Sequence, residues 1–315
     1  MVYNDTVRRC RTVKNFKGAI MEYVIETNGL TKKYGEKRAV DNASVHVRKG
    51  DIYGLIGKNG AGKTTLMKAL LGLNVPQSGE IKLFGSSDLN LSRKKIGSLI
   101  EAPAIFKNET AFENMKRFAI LAPTSDDEIK RILDLVGIGN TGAKKAGAFS
   151  LGMKQRLGIA IALLGRPEIL ILDEPINGLD PAGIKEVRDM IVELNGRGIT
   201  FMISSHILDE LGKIATNYGI MHDGVLEEIS AQELAAKSRS ALVAETDDGV
   251  KAAEVLRAKF PELVVLSDGN KVEITSKVQD ASAINKALVN ADCKVYELKN
   301  ETVSFEDYFI ERLGR

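Results

Sequence analysis

Two short runs carry residue types suited to phosphate chemistry. Gly57-Lys58-Asn59-Gly60-Ala61-Gly62-Lys63-Thr64 fits the spacing G-x-x-x-x-G-K-[ST], a loop whose backbone N–H groups cradle phosphates. Its glycines let the chain approach those oxygens without side-chain clash, and a helix N-terminus behind the loop adds positive partial charge. Lys63 can reach the terminal phosphates, the Thr64 hydroxyl can ligate magnesium, and Thr65 follows in the same turn. The second run, Ile169-Leu170-Ile171-Leu172-Asp173-Glu174-Pro175, is apolar until it ends in two acids. A buried parallel strand delivers such carboxylates at its C-terminal end, where open α/β sheets bind ligands. Asp173 suits a magnesium shell, and Glu174 suits a general base that polarises an attacking water. Alone, the acid pair reads as a solvated strand end; with the phosphate loop upstream it gains a shared task.

The surrounding pattern supplies the elements that must hold these runs. Strand-like segments are expected at Glu22–Glu26, Val40–Val47, Ile52–Ile56, Glu80–Phe84 and Gly97–Ile100, with a helix over Lys63–Leu71 behind the phosphate loop. Residues 108–165 show helical spacing instead, in Phe112-Met115-Phe118-Ala119 and Ile129-Ile132-Leu133-Val136, and Ser150 is placed to cap a third helix. This stretch reads as a helical insertion. Strand patterning resumes at Ile169–Leu172, Ile199–Ser204 and Tyr218–Met221. A second unit is expected over 231–315, in the order βαββαβ: Ala241–Ala244, Val250–Phe260, Leu263–Leu266, Val272–Thr275, Ala281–Val289 and Lys294–Leu298. That order matches the split βαβ or ferredoxin-like arrangement. A closing helix, Phe305–Leu313, presents Phe305, Tyr308, Phe309 and Leu313 on one side.

Taken in order, the motifs resemble the nucleotide-binding subunit of an ABC transporter. The resemblance covers residues 22–230. It implies a P-loop α/β fold with added antiparallel strands and a helical insertion, and ATP with Mg2+ as ligands. Phe149-Ser150-Leu151-Gly152-Met153-Lys154-Gln155-Arg156 resembles the family signature LSGGQ, with Leu151 where glycine is common and Met153 where glutamine is common. Ser150 and Gly152 are kept, and the resemblance makes them donors to the γ-phosphate bound on an opposite subunit. Tyr34 resembles the aromatic that stacks on adenine, Asp180 the key acid of the loop crossing the dimer interface, and His206 the switch histidine. The family places a glutamine at the entry to the helical insertion, as metal ligand and coupling element; Ser98-Leu99-Ile100-Glu101-Ala102-Pro103 carries Glu101 there. That segment and Phe305-Glu306-Asp307-Tyr308-Phe309 look like the bacitracin and lantibiotic subgroup. The resemblance further implies a head-to-tail dimer, identical or mixed, bound to an integral permease on the inner face of the cell membrane.

Bulk composition narrows the field. At 315 residues, 44% apolar and 27% charged, the chain has the profile of a folded protein with room for one large and one small domain. A net charge of +2 is too small to argue for nucleic acid as a partner. No apolar run reaches the roughly 18 to 20 residues of a membrane span. Cys10 and Cys293 lack metal-ligand spacing and read as two free thiols. Residues 1–20 carry Arg8, Arg9, Arg11, Lys14 and Lys17 against Asp5, with no apolar stretch after them; they read as a disordered leader or an upstream start ahead of Met21. A soluble ABC ATPase acting on ribosomes or DNA is the main alternative, but those branches carry two nucleotide domains or a long coiled coil, and this chain shows neither. A nucleotide sensor without turnover is disfavoured because Lys63, Asp173, Glu174 and His206 all occur together.

Overall fold

Every residue of Ile52–Ile56, of Ile169–Asp173 and of Thr200–Ser205 is buried, the mark of parallel strands covered on both faces. The computed structural model describes residues 23–237, 240–274 and 280–302. The leader 1–20, Cys10 and the expected helix Phe305–Leu313 lie outside them.

In chain order the strands of the first part are β1 (Tyr23–Tyr34), β2 (Lys37–Ala43), β3 (His46–Arg48), β4 (Ile52–Ile56), β5 (Ser78–Leu83), β6 (Ile96–Leu99), β7 (Ile169–Asp173), β8 (Thr200–Ser205), β9 (Asn217–His222) and β10 (Val225–Ser230). The helices between them are α1 (Lys63–Leu71), α2 (Leu89–Arg93), α3 (Ala111–Phe118), α4 (Asp126–Leu135), α5 (Leu151–Ala162), α6 (Pro181–Gly196) and α7 (Leu208–Gly212), with α8 (Ala231–Lys237) after β10. The central sheet runs β10-β9-β4-β8-β7-β6, parallel except for β10. Because β4, β6, β7 and β8 are parallel neighbours, the turns after them emerge on one edge, where open α/β sheets bind ligands.

Alternation along each central strand splits its side chains between two cores. Leu170 and Leu172 of β7 join Phe201 and Ile203 of β8 in a core shared with the helical insertion. Ile169, Ile171 and Met202 face the other way, into a core with α1 and the antiparallel strands. Those antiparallel strands form a second sheet, in which β1 pairs with β2, β3 and β5.

The expected strand Val40–Val47 is two strands. Asn42 adopts a left-handed conformation, and the Thr27 hydroxyl enters the break, donating to the Ala43 carbonyl at 3.1 Å and accepting from the Val45 N–H at 2.9 Å. A side chain from β1 therefore replaces one rung of the ladder, which periodicity along β2 cannot reveal. The first strand also runs past Glu26 to Tyr34 because β2 and β5 flank its second half. β10 escapes the pattern reading as an edge strand with mixed exposure.

The helical insertion follows the expected spacing, and its helices start where small polar residues cap them. Thr110 and Glu113 close a reciprocal capping box on α3, Ser125 caps α4, and Ser150 caps α5 by accepting from Met153 N–H. The box hydrogen bonds from Thr110 lower the Glu113 carboxyl to about 2.

The C-terminal part adds β11 (Ser240–Thr246), α9 (Gly249–Lys259), β12 (Val265–Asp268), β13 (Lys271–Ile274), α10 (Ala281–Asn290) and β14 (Val295–Thr302). Its antiparallel sheet has the order β12-β13-β11-β14. This is the strand order of a split βαβ fold, with two helices of matching sequence position. Its core draws only on residues from Leu242 to Cys293 among the clustered buried residues. Helix α8 belongs elsewhere: Leu234, 1% exposed, packs in the core of the central sheet. No described helix is long and apolar enough to cross a membrane.

Candidate functional site

The phosphate-type loop leaves β4 at Gly57 and enters α1 at Lys63. Gly60 has φ +83° with open space on its side-chain face, whereas a Cβ on Gly62, at φ +114°, would lie 2.0 Å from the Ala39 carbonyl oxygen. The first glycine keeps the loop's face bare; the second lets it close onto β2. Gly62 caps α1 without any side-chain bond, so the first-turn N–H groups stay available to an anion. A pocket of about 300 Å3 opens here, lined by Tyr34, Lys58, Asn59, Gly60, Gly62, Lys63, Thr64, Thr65 and Glu174, together with Lys37 and Ala39 of β2.

Three neighbouring strands bring their ends to this pocket. The Thr64 hydroxyl donates to Asp173 Oδ2 at 2.7 Å, tying α1 to the end of β7. Glu174, in a left-handed conformation with φ 50°, places Oε2 2.8 Å from His206 Nδ1. Its Oε1 is 3.4 Å from Lys63 Nζ, close enough for ion pairing, but it is buried and accepts no hydrogen bond from the described residues. The Lys63 ammonium donates to the Gly57 carbonyl at 2.6 Å. Lysine and threonine at the start of α1, two carboxylates at the end of β7 and a histidine just after β8 thus converge at one spot.

These groups suit a magnesium ion carried by phosphate. Thr64 and Asp173 offer hard oxygen donors, and no described cluster of three or more His, Cys, Asp or Glu side chains could hold a metal unaided. Magnesium characteristically binds through one or two carboxylates plus substrate phosphates, so two protein donors beside an anion cradle are a fitting set.

Of the other expected site residues, Ser150, Gly152 and Asp180 lie apart from that pocket. Ser150 and Gly152 line a second cavity of about 480 Å3 with Leu151, Met153, Leu179 and Asp180. Asp180 caps α6, its Oδ1 accepting from Gly183 N–H at 3.0 Å. The Leu151 methyl would lie 3.1 Å from a Cβ on Gly178, so the signature turn and the loop before α6 touch directly. Arg156 and Glu186 pair between α5 and α6 and hold the two helices together. Tyr34 is 54% exposed, with its hydroxyl 3.4 Å from Asn74 Nδ2. That asparagine also donates to the Thr65 carbonyl at 3.2 Å, linking the tyrosine to α1.

Glu101, expected in the metal shell, forms its described ion pair with Lys68 on α1, at 2.6 Å. The hydrogen bond that Lys68 donates to this carboxylate pushes its ammonium above the usual range. Glu101 also adopts a left-handed φ of 63°. Sequence reading missed Lys37 and Ala39 as pocket walls and gave Ser204 no role. Ser204 was visible only as a neighbour of His206; its partners are 30 and 31 residues away.

Comparison with known proteins gives a consistent picture. The family profile described as ABC transporter matches residues 40–177. The bacitracin transport ATP-binding protein BcrA of Enterococcus faecalis is 40% identical over 301 residues, covering 94% of this chain and 98% of its own length. The lantibiotic transport ATP-binding protein SrtF of Streptococcus pyogenes is 45% identical over 201 residues, covering 64% of this chain and 88% of its own. Among solved structures, the ADP conformation of MJ1267, an ATP-binding cassette of an ABC transporter, aligns with a TM-score of 0.60 at 26% identity, over 67% of this chain and 92% of that one.

Proposed function

The chain belongs to the ABC transporter family as an ATP-binding, ATP-hydrolysing subunit, and we propose from that premise that it drives a separate membrane permease that exports peptide antibiotics or confers resistance to them. The substrate class is supported by the bacitracin and lantibiotic transport relatives. The reading places the subunit peripherally on the inner face of the membrane.

The observation that carries the mechanism is the separation of the site residues into two cavities. Lys63, Thr64 and Glu174 line one, while Ser150 and Gly152 line the other. We read each as half of a composite site, completed when two subunits meet head to tail. The loop N–H groups and Lys63 bind the phosphates, Tyr34 supports the base, and Thr64 with Asp173 would hold magnesium, which would offset phosphate charge. Glu174 takes a proton from the attacking water, and His206 orients its carboxylate. Ser150 and Gly152 of the second subunit close over the terminal phosphate. Glu101, at the entry to the helical insertion and paired with Lys68 of α1, is placed to pass closure from the nucleotide helix to the permease.

Purification of the tagged chain from membranes tests the partner. An integral protein should co-purify and raise ATP turnover when reconstituted; recovery with only non-membrane partners would overturn the permease reading in favour of a soluble ATPase.

The C-terminal unit is proposed to pack independently, joined to the nucleotide-binding part after α8. A chain ending at residue 237 should then bind ATP as the full chain does. Ending it at 230 instead removes Leu234 from the central core, a burial worth about 1.5–3 kcal/mol, and should lower the melting temperature measurably. Loss of nucleotide binding by the 237 truncation, scored by equilibrium titration, would place the boundary elsewhere.

A further inference from the structure

Glu174 sits in a backbone region that non-glycine residues seldom occupy, so something must hold it there. The contact that does so comes from β8. Ser204 is fully buried, and the β7–β8 register sets it opposite Asp173. Its hydroxyl oxygen accepts from Glu174 N–H at 2.9 Å, while its proton goes to Asp173 Oδ1 at 2.5 Å. A hydroxyl is the small side-chain group that can donate once and accept at the same time, and both capacities are spent here on consecutive acids. With Thr64 on Oδ2, both Asp173 oxygens are fixed by hydroxyls.

We propose that Ser204 is a positioning residue for ATP hydrolysis, clamping the Asp173–Glu174 corner so that the Glu174 carboxylate stays aimed between His206 and Lys63. The inference rests on the general-base reading of Glu174. Without the hydroxyl, Glu174 N–H loses its acceptor and the left-handed turn loses its anchor. The backbone then relaxes toward the extended region favoured by a residue that precedes proline, here Pro175, and carries the carboxylate out of line. The loop N–H groups make no described bond to Ser204, and Lys63, which would lose only its pairing with Glu174, keeps its charge for the phosphates.

The test compares Ser204→Ala, Ser204→Thr and Glu174→Gln in the full-length chain. Ser204→Ala should lower kcat by about 10- to 100-fold, the scale of a misaligned reacting group, while the dissociation constant for a fluorescent ATP analogue changes by less than about threefold. Slowed chemistry with intact binding should also make Ser204→Ala accumulate an ATP-dependent dimer on gel filtration, a gain that a packing defect does not produce. Ser204→Thr keeps the hydroxyl and suits a strand, so it should restore turnover. A Ser204→Ala kcat within about threefold of wild type, beside an inactive Glu174→Gln, would overturn the role of Ser204 and leave that of Glu174 standing. Parallel loss of binding and turnover would overturn it too, by showing that Ser204 serves packing. Full activity in Glu174→Gln would remove the general-base reading itself.

Discussion

Glu174→Gln is expected to stop steady-state ATP hydrolysis while leaving ATP binding intact. Loss of a positioned general base costs about 10²- to 10⁴-fold in rate. The amide is isosteric and can keep a hydrogen bond toward His206, which lies 2.8 Å from Oε2. It removes the negative charge 3.4 Å from Lys63, so the ammonium loses a competitor for phosphate and affinity should hold or rise slightly. The protein should then collect as an ATP-dependent dimer on gel filtration and separate again when nucleotide is removed. Turnover within about threefold of wild type would show that another group accepts the proton.

Gly152→Asp should be equally damaging for a different reason. A Cβ on Gly152 meets only the Leu179 methyl, at 3.7 Å, so the monomer has room for a side chain. An acid in the first turn of α5 is also favourable to the helix dipole. The folded monomer should therefore melt at or above the wild-type temperature and bind ATP normally through its own loop. In a head-to-tail dimer, however, the new carboxylate faces the terminal phosphate held by the opposite subunit, and like charges at contact distance repel strongly in a site that excludes water. Turnover should fall by at least about 100-fold, on the scale of losing a preorganised donor. Mixing the variant with Glu174→Gln tests the geometry further, since such pairs have one unobstructed composite site. Wild-type activity in Gly152→Asp alone would mean that the second cavity takes no part in catalysis.

The phosphate loop, the Asp173–Glu174 pair and the signature turn were legible because each is a local pattern with a local cause. Glycine at 60 and 62, lysine at 63 and a hydroxyl at 64 are recognisable by their spacing alone. The α5 cap was equally readable, since Ser150 needs only the backbone three residues ahead. The order βαββαβ announced the C-terminal sheet, because period-two and period-3.6 apolar spacing alternate there over short segments.

What depended on pairing between distant segments stayed hidden. The break between β2 and β3 is made by Thr27, 16 to 18 residues earlier. Helix α8 joins the central core although the chain there is already turning toward the next unit. Glu101 is expected at the metal shell from its place in the motif order, but its pairing with Lys68, 33 residues away, could not be read from the sequence.

By itself, then, the sequence determined which residues can handle phosphate, which strand ends must carry them and that a helical insertion separates two of the motifs. Such features follow from side-chain chemistry and periodicity within a few residues. The tertiary structure decided how those pieces are shared out: the loop and Glu174 in one cavity, the signature turn in another, and Ser204 set by strand register against Asp173. Register and layer packing are fixed by burial of both faces of the central sheet, a property of the whole core that no single segment encodes.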